Sequence, residues 1–293
     1  MGPKDYIETW DDIEEMRSQY VCPVDVFGGH CLSDRNETPA GRFRYLLGLI
    51  LSARNLDRVT ALAMYRLNAL APLTSVDIDE AIQRLTVEFD RRAGGVQQRP
   101  KNPIKRINFV GDPTAVMQLD WRLDAEAIAN STEEALAKAI HPTGFAKTKA
   151  SYMRKVAQIC LQKYGGDVPD TLEAFLELPG VGPKMAHLAM QITRGMAVGV
   201  SVDAHVCRIA QRLRWVSGGD CEKGGQSLSP VEVGRQLEEF LPSDRWPLVN
   251  PLLVGFGQVI CRAQDPNCDE CKLKGERCYY QKVTRGKNKA SKG

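Results

Sequence analysis

The 293-residue sequence has little of several features that mark particular protein classes. No apolar run approaches the roughly 18 residues that a membrane span needs, so we expect no membrane partner. The first ten residues, MGPKDYIETW, are acidic rather than apolar, and we expect no signal peptide there. Because 43% of the residues are hydrophobic and 26% are charged, a wholly disordered chain is excluded as well. The length predicts about two domains or one large one, and the composition predicts a soluble, intracellular protein.

Net charge is also small, at +3, and by itself it indicates no partner. Its distribution is uneven, because residues 1–40 hold nine acidic and three basic residues, whereas residues 141–166 hold no acidic residue. This basic middle region is compatible with nucleic acid binding, and a solvated helix face would show the same pattern. Charge therefore leaves both interpretations open.

Alternating strand patterns are scarce, whereas helical spacing recurs along most of the chain. The clearest apolar stripe comprises Phe43, Leu46, Leu47, Ile50 and Leu51. Thr9 and Asp57 are predicted to cap two helices, and Ser229-Pro-Val-Glu232 has the form of a capping box. The sequence predicts an all-α fold.

One segment, residues 86–120, interrupts the helical pattern with two adjacent glycines, several prolines and six basic residues. We expect a surface insertion there, and an added DNA-contacting arm is the alternative, which rests on charge alone. Residues 282–293 hold five basic and no acidic residues and are poor in apolar side chains, which predicts a disordered tail.

The nine cysteines are unevenly spread, and a chain without a secretory signal favours reduced thiols over a disulfide framework. Four of them lie within eighteen residues, with the spacing Cys261-x6-Cys268-x2-Cys271-x6-Cys278. Four closely spaced thiols predict a metal site. The spacing alone suits zinc and an iron–sulfur cluster equally.

The stretch Leu178-Pro-Gly-Val-Gly-Pro-Lys-Met-Ala186 predicts a tight turn between two helices. Gly180, Val181 and Gly182 form the turn, and Pro183 opens the second helix. Glycines allow a partner to approach the backbone closely, and the unpaired N–H groups of a helix N-terminus suit a phosphate. A turn that only joins two helices has the same form, so both interpretations stay open at this point.

Two ionisable residues follow the turn. Lys184 lies in the first turn of the second helix, where partial burial and the positive end of the helix dipole would favour a neutral, nucleophilic amine; an ordinary surface lysine is the alternative. Asp203 precedes another helix, where N-capping is its simplest role and a catalytic role can coexist with it. His187 and His205 are expected to pack or to form hydrogen bonds rather than to bind metal.

Together these segments resemble the endonuclease III family of helix-hairpin-helix DNA glycosylases, and most closely its eukaryotic endonuclease III-like members. The hairpin and the four-cysteine loop are joined in this resemblance by Val202-Asp-Ala-His-Val206, Leu51-Ser-Ala-Arg-Asn-Leu-Asp57, Thr143-Gly-Phe-Ala-Lys147 and Leu252-Leu-Val-Gly-Phe-Gly257. The similarity covers most of residues 43–278 apart from the insertion. It implies a six-helix domain over residues 41–195 and an iron–sulfur cluster domain built from residues 1–40 and 196–281.

The resemblance implies a bifunctional DNA glycosylase/AP lyase that removes oxidised pyrimidines. Lys184 matches the family's Schiff-base lysine, which attacks C1′ of the damaged nucleotide. Asp203 matches the aspartate that helps to deprotonate the nucleophile and stabilises positive charge on the sugar. The catalytic centre is expected in a cleft between these two residues. The four cysteines match the ligands of a structural 4Fe-4S cluster, although the family usually has five residues in the last interval.

The resemblance also implies a set of DNA contacts. The hairpin residues Gly180, Val181 and Gly182 are expected to bind DNA, together with Lys272 and Lys274 of the cluster loop. Phe145 aligns with an apolar wedge position. Arg54 lies where relatives usually have glutamine, which leaves the opposite-base preference open, and Ala204 replaces a more usual threonine.

A non-catalytic iron–sulfur or zinc DNA-binding module is the alternative function. The related adenine-mismatch glycosylases resemble the chain in fold and cluster but lack a Schiff-base lysine, so Lys184 favours the lyase. We expect a monomer that binds double-stranded DNA with damaged bases or abasic sites. The expected location is the nucleus, with the mitochondrion as a further destination.

Overall fold

The computed structural model describes Pro3 and residues 5–32, 37–93, 117–218, 228–275 and 277–280. Within these ranges lie thirteen complete α-helices and no β-strand, which confirms the predicted all-α fold. None of the described helices is long and apolar enough to cross a membrane. The adjacent glycines of the predicted insertion, Cys221 and the predicted tail over 282–293 lie outside the described residues. The helices are α1 (Tyr6–Ser18), α2 (Pro23–Phe27), α3 (Pro39–Ser52), α4 (Asp57–Leu70), α5 (Asp79–Arg92), α6 (Ala125–Ala129), α7 (Glu133–Ile140), α8 (Ala146–Tyr164), α9 (Leu172–Leu176), α10 (Pro183–Arg194), α11 (Ala204–Arg212), α12 (Pro230–Glu238) and α13 (Trp246–Val259).

The chain divides into two compact units. The first comprises residues 1–22, 102–108 and 199–293, and the second comprises residues 23–101 and 109–198. Helices α1 and α11–α13 therefore belong to the first unit, and α2–α10 belong to the second. The sequence assigned all of residues 1–40 to the cluster domain, whereas α2 packs on α4 and lies in the second unit.

In the second unit, α3 and α8 are central to the candidate site. The side chain of Thr38 caps α3 by accepting a hydrogen bond from the Gly41 N–H at 3.0 Å. The predicted apolar stripe of α3 is buried along its whole length. Helix α8 packs on α6 and α7 and ends at Gly165, whose left-handed backbone is typical of a helix C-terminus.

Two local predictions in the second unit need correction. Asp57 was expected to cap α4, but it is the first helical residue, and the N-cap is Leu56. An acidic side chain in the first turn still favours the helix through the dipole. The insertion was expected from Thr86 onwards, but α5 continues to Arg92 because Leu85 and Phe89, one turn apart, are both buried.

In the first unit, α13 packs against α1 and α11. Helix α1 begins at Tyr6, three residues before the predicted cap at Thr9, and buries Trp10, Ile13 and Met16. Gly255 of α13 admits the side chain of Arg17, because a Cβ at this position would lie 1.8 Å from the guanidinium nitrogen Nε. The predicted cap of α12 is confirmed, since the Ser229 hydroxyl accepts a hydrogen bond from the Glu232 N–H at 3.2 Å.

Candidate functional site

The turn between α9 and α10 places two glycines in different environments. Gly180 has a φ of +81°, and a Cβ there would lie 2.4 Å from a ring carbon of Tyr152, so the turn requires glycine. Gly182 has an extended backbone with φ −105°, and an added Cβ would meet no atom within 4 Å. Val181, between them, is buried and anchors the turn. The backbone at Gly182 is therefore open to close approach from outside.

Helix α10 begins directly after this turn. Gly182 is its N-cap, no side chain caps it, Pro183 occupies the first turn, and the first turn has no acidic residue. The N–H groups of a first helical turn have no partner within the helix, and they lie at the positive end of the dipole. The twelve-residue helix thus offers the arrangement that binds a phosphate. Lys184 lies half-buried in this same first turn.

Asp203 occupies the N-cap position of α11, as its sequence context predicts. Its Oδ1 atom accepts hydrogen bonds from the His205 N–H at 2.8 Å and the Val206 N–H at 2.9 Å. Asp203 belongs to the first unit and Lys184 to the second, so the cleft expected between them stays a prediction.

Arg54 lies in the loop between α3 and α4, and Phe145 ends the loop between α7 and α8 as the N-cap residue of α8; we call these two exposed positions of the second unit the loop tips. The guanidinium carbon of Arg54 is 5.7 Å from the centroid of the Phe145 ring. Both residues have left-handed backbones, with φ of 55° and 60°, and both side chains are exposed, Phe145 to 62%. An exposed aromatic ring next to a cation is a surface suited to unstacked bases, since apolar side chains act as wedges between base pairs.

Two residues that sequence reasoning missed connect these loops. The Asn55 side-chain oxygen accepts a hydrogen bond from the Gly144 N–H at 2.9 Å. The Lys149 ammonium group donates to the carbonyl oxygens of Leu51 at 2.8 Å and Ala53 at 2.7 Å. Burial lowers the pKa of Lys149 to about 8. The only sequence signal was a lysine among apolar neighbours in a helix that otherwise reads as basic surface.

The four cysteines of the C-terminal loop line one pocket, together with Arg212 and Tyr280. Arg212 donates a hydrogen bond to the Cys261 sulfur at 3.4 Å, and its guanidinium carbon lies 4.1 Å from the Tyr280 ring centroid. Burial, reinforced by the other three thiols, raises the pKa of Cys271 to about 12. Among the described residues, no three His, Cys, Asp or Glu side chains are placed to hold a single metal ion.

The chemistry of this pocket nevertheless fits an anionic metal–thiolate group. Its lining has four sulfur donors, the cationic side chains of Arg212 and Lys274, and no carboxylate. Positive charge and an N–H donor at a coordinating sulfur are the features that stabilise such clusters. The residues present are thus compatible with the expected iron–sulfur cluster.

The basic residues of the cluster loop are paired with carboxylates in the first unit. Lys274 lies 2.9 Å from Asp269, and Arg277 lies 2.6 Å from Asp12. Lys272 forms an ion pair with Glu15. The sequence predicted Lys272 and Lys274 as DNA contacts without anticipating these partners, and exposed ion pairs are weak enough to exchange.

Comparisons with known proteins agree with this picture. A family model described as "HhH-GPD superfamily base excision DNA repair protein" matches residues 104–229. "Endonuclease III-like protein 1" of Bos taurus is 36% identical over 270 residues, which cover 92% of this chain and 70% of that protein. The Gallus gallus protein of the same name is 35% identical over 275 residues, covering 92% and 77%. "Endonuclease III homolog 1, chloroplastic" of Arabidopsis thaliana is 34% identical, and the match spans 58% of its length.

Solved structures share the fold. "Structure of a non-covalent Endonuclease III-DNA Complex" matches 97% of this chain and 100% of that chain, with a TM-score of 0.62 and 22% identity. "Structure of a Trapped Endonuclease III-DNA Covalent Intermediate: Estranged-Adenine Complex" matches the same shares, with a TM-score of 0.60 and 21% identity. At this identity the likeness establishes the fold alone. The relatives above establish more: the chain belongs to the endonuclease III family of base excision DNA repair enzymes, as the sequence predicts.

Proposed function

We propose that this protein is a bifunctional DNA glycosylase/AP lyase that removes oxidised pyrimidines from double-stranded DNA and then cleaves the strand at the abasic site. The observation that carries the proposal is the uncapped, glycine-opened N-terminus of α10 with Lys184 in its first turn. A phosphate bound by the turn brings the DNA backbone next to the lysine amine. The proposed location is the nucleus, with the mitochondrion as a further destination, and the proposed state is a monomer.

In the proposed reaction the neutral amine of Lys184 attacks C1′, and the C1′–N bond breaks as the base leaves and takes up a proton. Transfer of a proton from the new amine to O4′, with opening of the C1′–O4′ bond, gives a protonated Schiff base and a free 4′-hydroxyl group. Removal of a C2′ proton then expels the 3′ phosphate by β-elimination, and water hydrolyses the imine to release the enzyme. The Asp203 carboxylate serves as proton acceptor for the Lys184 ammonium group and opposes positive charge on the sugar.

The target base must leave the stack before this chemistry. Phe145 is the proposed wedge, because a ring that is 62% exposed on a loop tip can replace the extruded base. Arg54 is the proposed partner of the base left opposite, to which its guanidinium can donate hydrogen bonds. The turn Gly180–Gly182 and the cluster-loop residues Lys272 and Lys274 are the proposed phosphate contacts.

Cys261, Cys268, Cys271 and Cys278 are the proposed ligands of a 4Fe-4S cluster. Its contribution would be structural, since the four thiolates fix the loop that presents Lys272 and Lys274. Purified protein is expected to contain about four iron atoms and to absorb broadly near about 400 nm. Bound zinc without visible absorption would refute the cluster and favour a zinc site instead.

Borohydride trapping tests the proposed activity. Wild-type protein incubated with abasic-site duplex and borohydride should become covalently linked to the DNA, because reduction fixes the Schiff base. Lys184→Gln should give no adduct while still binding the duplex. Lys163→Gln, which changes an exposed lysine of the same unit, is the matched control and should be trapped like wild type.

The same experiment separates the alternative function. A non-catalytic DNA-binding module would bind the duplex but leave it unlinked. Absence of an adduct from wild-type protein, on abasic DNA and on a panel of oxidised pyrimidines, would show that the lyase proposal is wrong.

A further inference from the structure

We propose that Lys149 and Asn55 are positioning residues that hold Arg54 and Phe145 as one preformed unit for entry into the duplex. This inference rests on the proposed function and adds two residues to it. Neither residue has a role in the proposed chemistry, and both lie in the second unit with the two loop tips.

The first connection closes the end of α3. The last carbonyl groups of a helix have no partner within it, and here they meet donors from elsewhere. Lys149 of α8 donates to the Leu51 and Ala53 oxygens at 2.8 and 2.7 Å, and Asn55 donates to the Leu51 oxygen at 2.6 Å. An ammonium group at this negative end of the dipole is also favourable electrostatically. The chain that leaves α3 towards Arg54 is thereby tied to α8.

The second connection joins the two tips directly. The Gly144 N–H donates to the Asn55 side-chain oxygen at 2.9 Å. Asn55 follows Arg54 in the chain, and Gly144 precedes Phe145. Each exposed tip is thus one residue away from a hydrogen bond to the other loop.

The backbone of both tips shows why such connections are needed. Left-handed φ values are uncommon for arginine and for phenylalanine, and they persist where the surroundings determine them. The contact between the guanidinium and the ring, at 5.7 Å, is solvent-exposed and therefore weak. The hydrogen bonds of Lys149, whose exposure is 5%, hold the chain before Arg54, and the Asn55–Gly144 bond carries this restraint to the chain before Phe145.

A preformed pair of tips has a specific consequence for the reaction. Side chains that are ordered before binding enter the helix without a further cost of ordering. Loosening them should slow the extrusion of a base that is still paired. Reaction at an abasic site needs no base to be expelled, so it should be much less affected.

The test compares these two reactions in single-turnover kinetics. The loosening variants are Lys149→Met, which removes the donors, and Asn55→Ala, which removes the bond to Gly144. Each should slow excision of a paired oxidised pyrimidine by about tenfold to a hundredfold. Borohydride trapping on abasic-site DNA should stay close to wild type. Lys149→Arg, which keeps the donors and the charge, should restore much of the excision rate, and Lys163→Met is the surface control.

A fluorescent 2-aminopurine placed next to the lesion gives a second readout, because its emission rises when the neighbouring base leaves the stack. The rise should be smaller with both loosening variants. If Lys149→Met does not fold, the test rests on Asn55→Ala, which should still fold because Asn55 is only half-buried. Wild-type excision in both folded variants, or an equal fall in excision and trapping, would overturn the inference. A wild-type protein that is never trapped would instead overturn the proposed function.

Discussion

At the scale of single residues, Gly180 and Gly182 lie two positions apart in one turn, but the fold itself requires glycine only at position 180. Gly180 adopts φ +81° and packs against the ring of Tyr152, so glycine is required there by the fold of the turn itself. Gly182 has an ordinary φ and empty space around it, so a requirement for glycine there would come from the proposed approach of a phosphate. A substitution at Gly180 therefore tests the stability of the fold, and a substitution at Gly182 tests the proposed DNA binding.

Gly180→Ala should lower the free energy of unfolding by more than about 1 kcal/mol, because the new methyl group meets Tyr152 in a backbone that alanine rarely adopts. Gly182→Ala should lower it by less, roughly 0.5–1 kcal/mol, which is the difference between glycine and alanine at an N-cap. Urea unfolding checks both values. Fluorescence anisotropy should nevertheless show weaker DNA binding by Gly182→Ala. Unchanged affinity would show that no phosphate approaches this turn.

Asp203 caps α11 and also has the proposed catalytic role, and two substitutions distinguish the capping role from the catalytic one. Asp203→Asn keeps a side-chain oxygen for the His205 and Val206 N–H groups, so the free energy of unfolding should stay within about 0.5 kcal/mol. Asp203→Ala loses the cap, which should cost about 1 kcal/mol. Single-turnover excision should be lost in both variants while DNA binding survives. An Asp203→Asn protein that excises like wild type would leave only the capping role.

The sequence predicts a residue's structural role correctly where that role depends on groups close by in the chain. The cap at Asp203 depends on N–H groups two and three residues away, and the turn at Gly180 depends on its own φ. Lys149 binds carbonyl groups that lie 98 and 96 residues away in the sequence, and Asn55 binds an N–H group 89 residues away. No local sequence pattern reveals such partners. Lys149 lies two residues after Lys147 in a region without acidic residues, a context that predicts an exposed side chain, although the structure buries it.

At the scale of elements, helices were easier to predict than the faces they bury. The spacing in α10 suggests Met185, Leu188, Ala189 and Ile192 as its buried face. Of these the structure buries Ala189, whereas the other buried residues are Ala186, Met190 and Thr193. Helix α10 packs on α3, and small side chains allow that close approach, so burial follows the contact surface rather than side-chain size.

Lys149 connects α3 with α8, and its buried charge makes the stability of this connection depend on pH. Its pKa is about 8 in the folded protein and 10.5 in an unfolded chain. Between these values the unfolded state binds more protons than the folded state, so the free energy of unfolding rises with pH. Below pH 8 both states are protonated, and the full cost of the buried charge is present.

Lys149→Met should remove this dependence. From pH 8 to 10.5, the free energy of unfolding of wild type should therefore rise by about 1–3 kcal/mol relative to that of the variant. Each pKa unit corresponds to about 1.4 kcal/mol. Urea unfolding at several pH values measures it, with Lys163→Met as the control for an exposed lysine. Parallel profiles for wild type and Lys149→Met would show that Lys149 keeps an ordinary pKa.

At the scale of the whole molecule, a net charge of +3 says little about DNA binding, because residues 1–40 hold nine acidic and only three basic residues and so mask the basic excess elsewhere. In the structure, part of this acidic segment pairs with the basic loop of the cysteine pocket: Glu15 with Lys272, and Asp12 with Arg277. DNA phosphates and these carboxylates would compete for the same cations. The acidic helix α1 thus reduces the charge that the loop can offer.

Releasing Lys272 and Arg277 from their carboxylate partners should strengthen DNA binding without changing the fold. The double variant Asp12→Asn/Glu15→Gln should bind duplex more tightly at low salt, and the slope of log affinity against log salt should steepen by about one to two, since each new phosphate contact contributes about 0.9. Glu232→Gln/Glu239→Gln, which removes two carboxylates that pair with Arg235 on α12, changes net charge equally and is the matched control. If both double variants steepen the slope to the same extent, net charge alone governs binding, and Lys272 and Arg277 are not specific phosphate contacts. A steeper slope in the α1 variant alone would instead identify the cysteine loop as part of the DNA-binding surface.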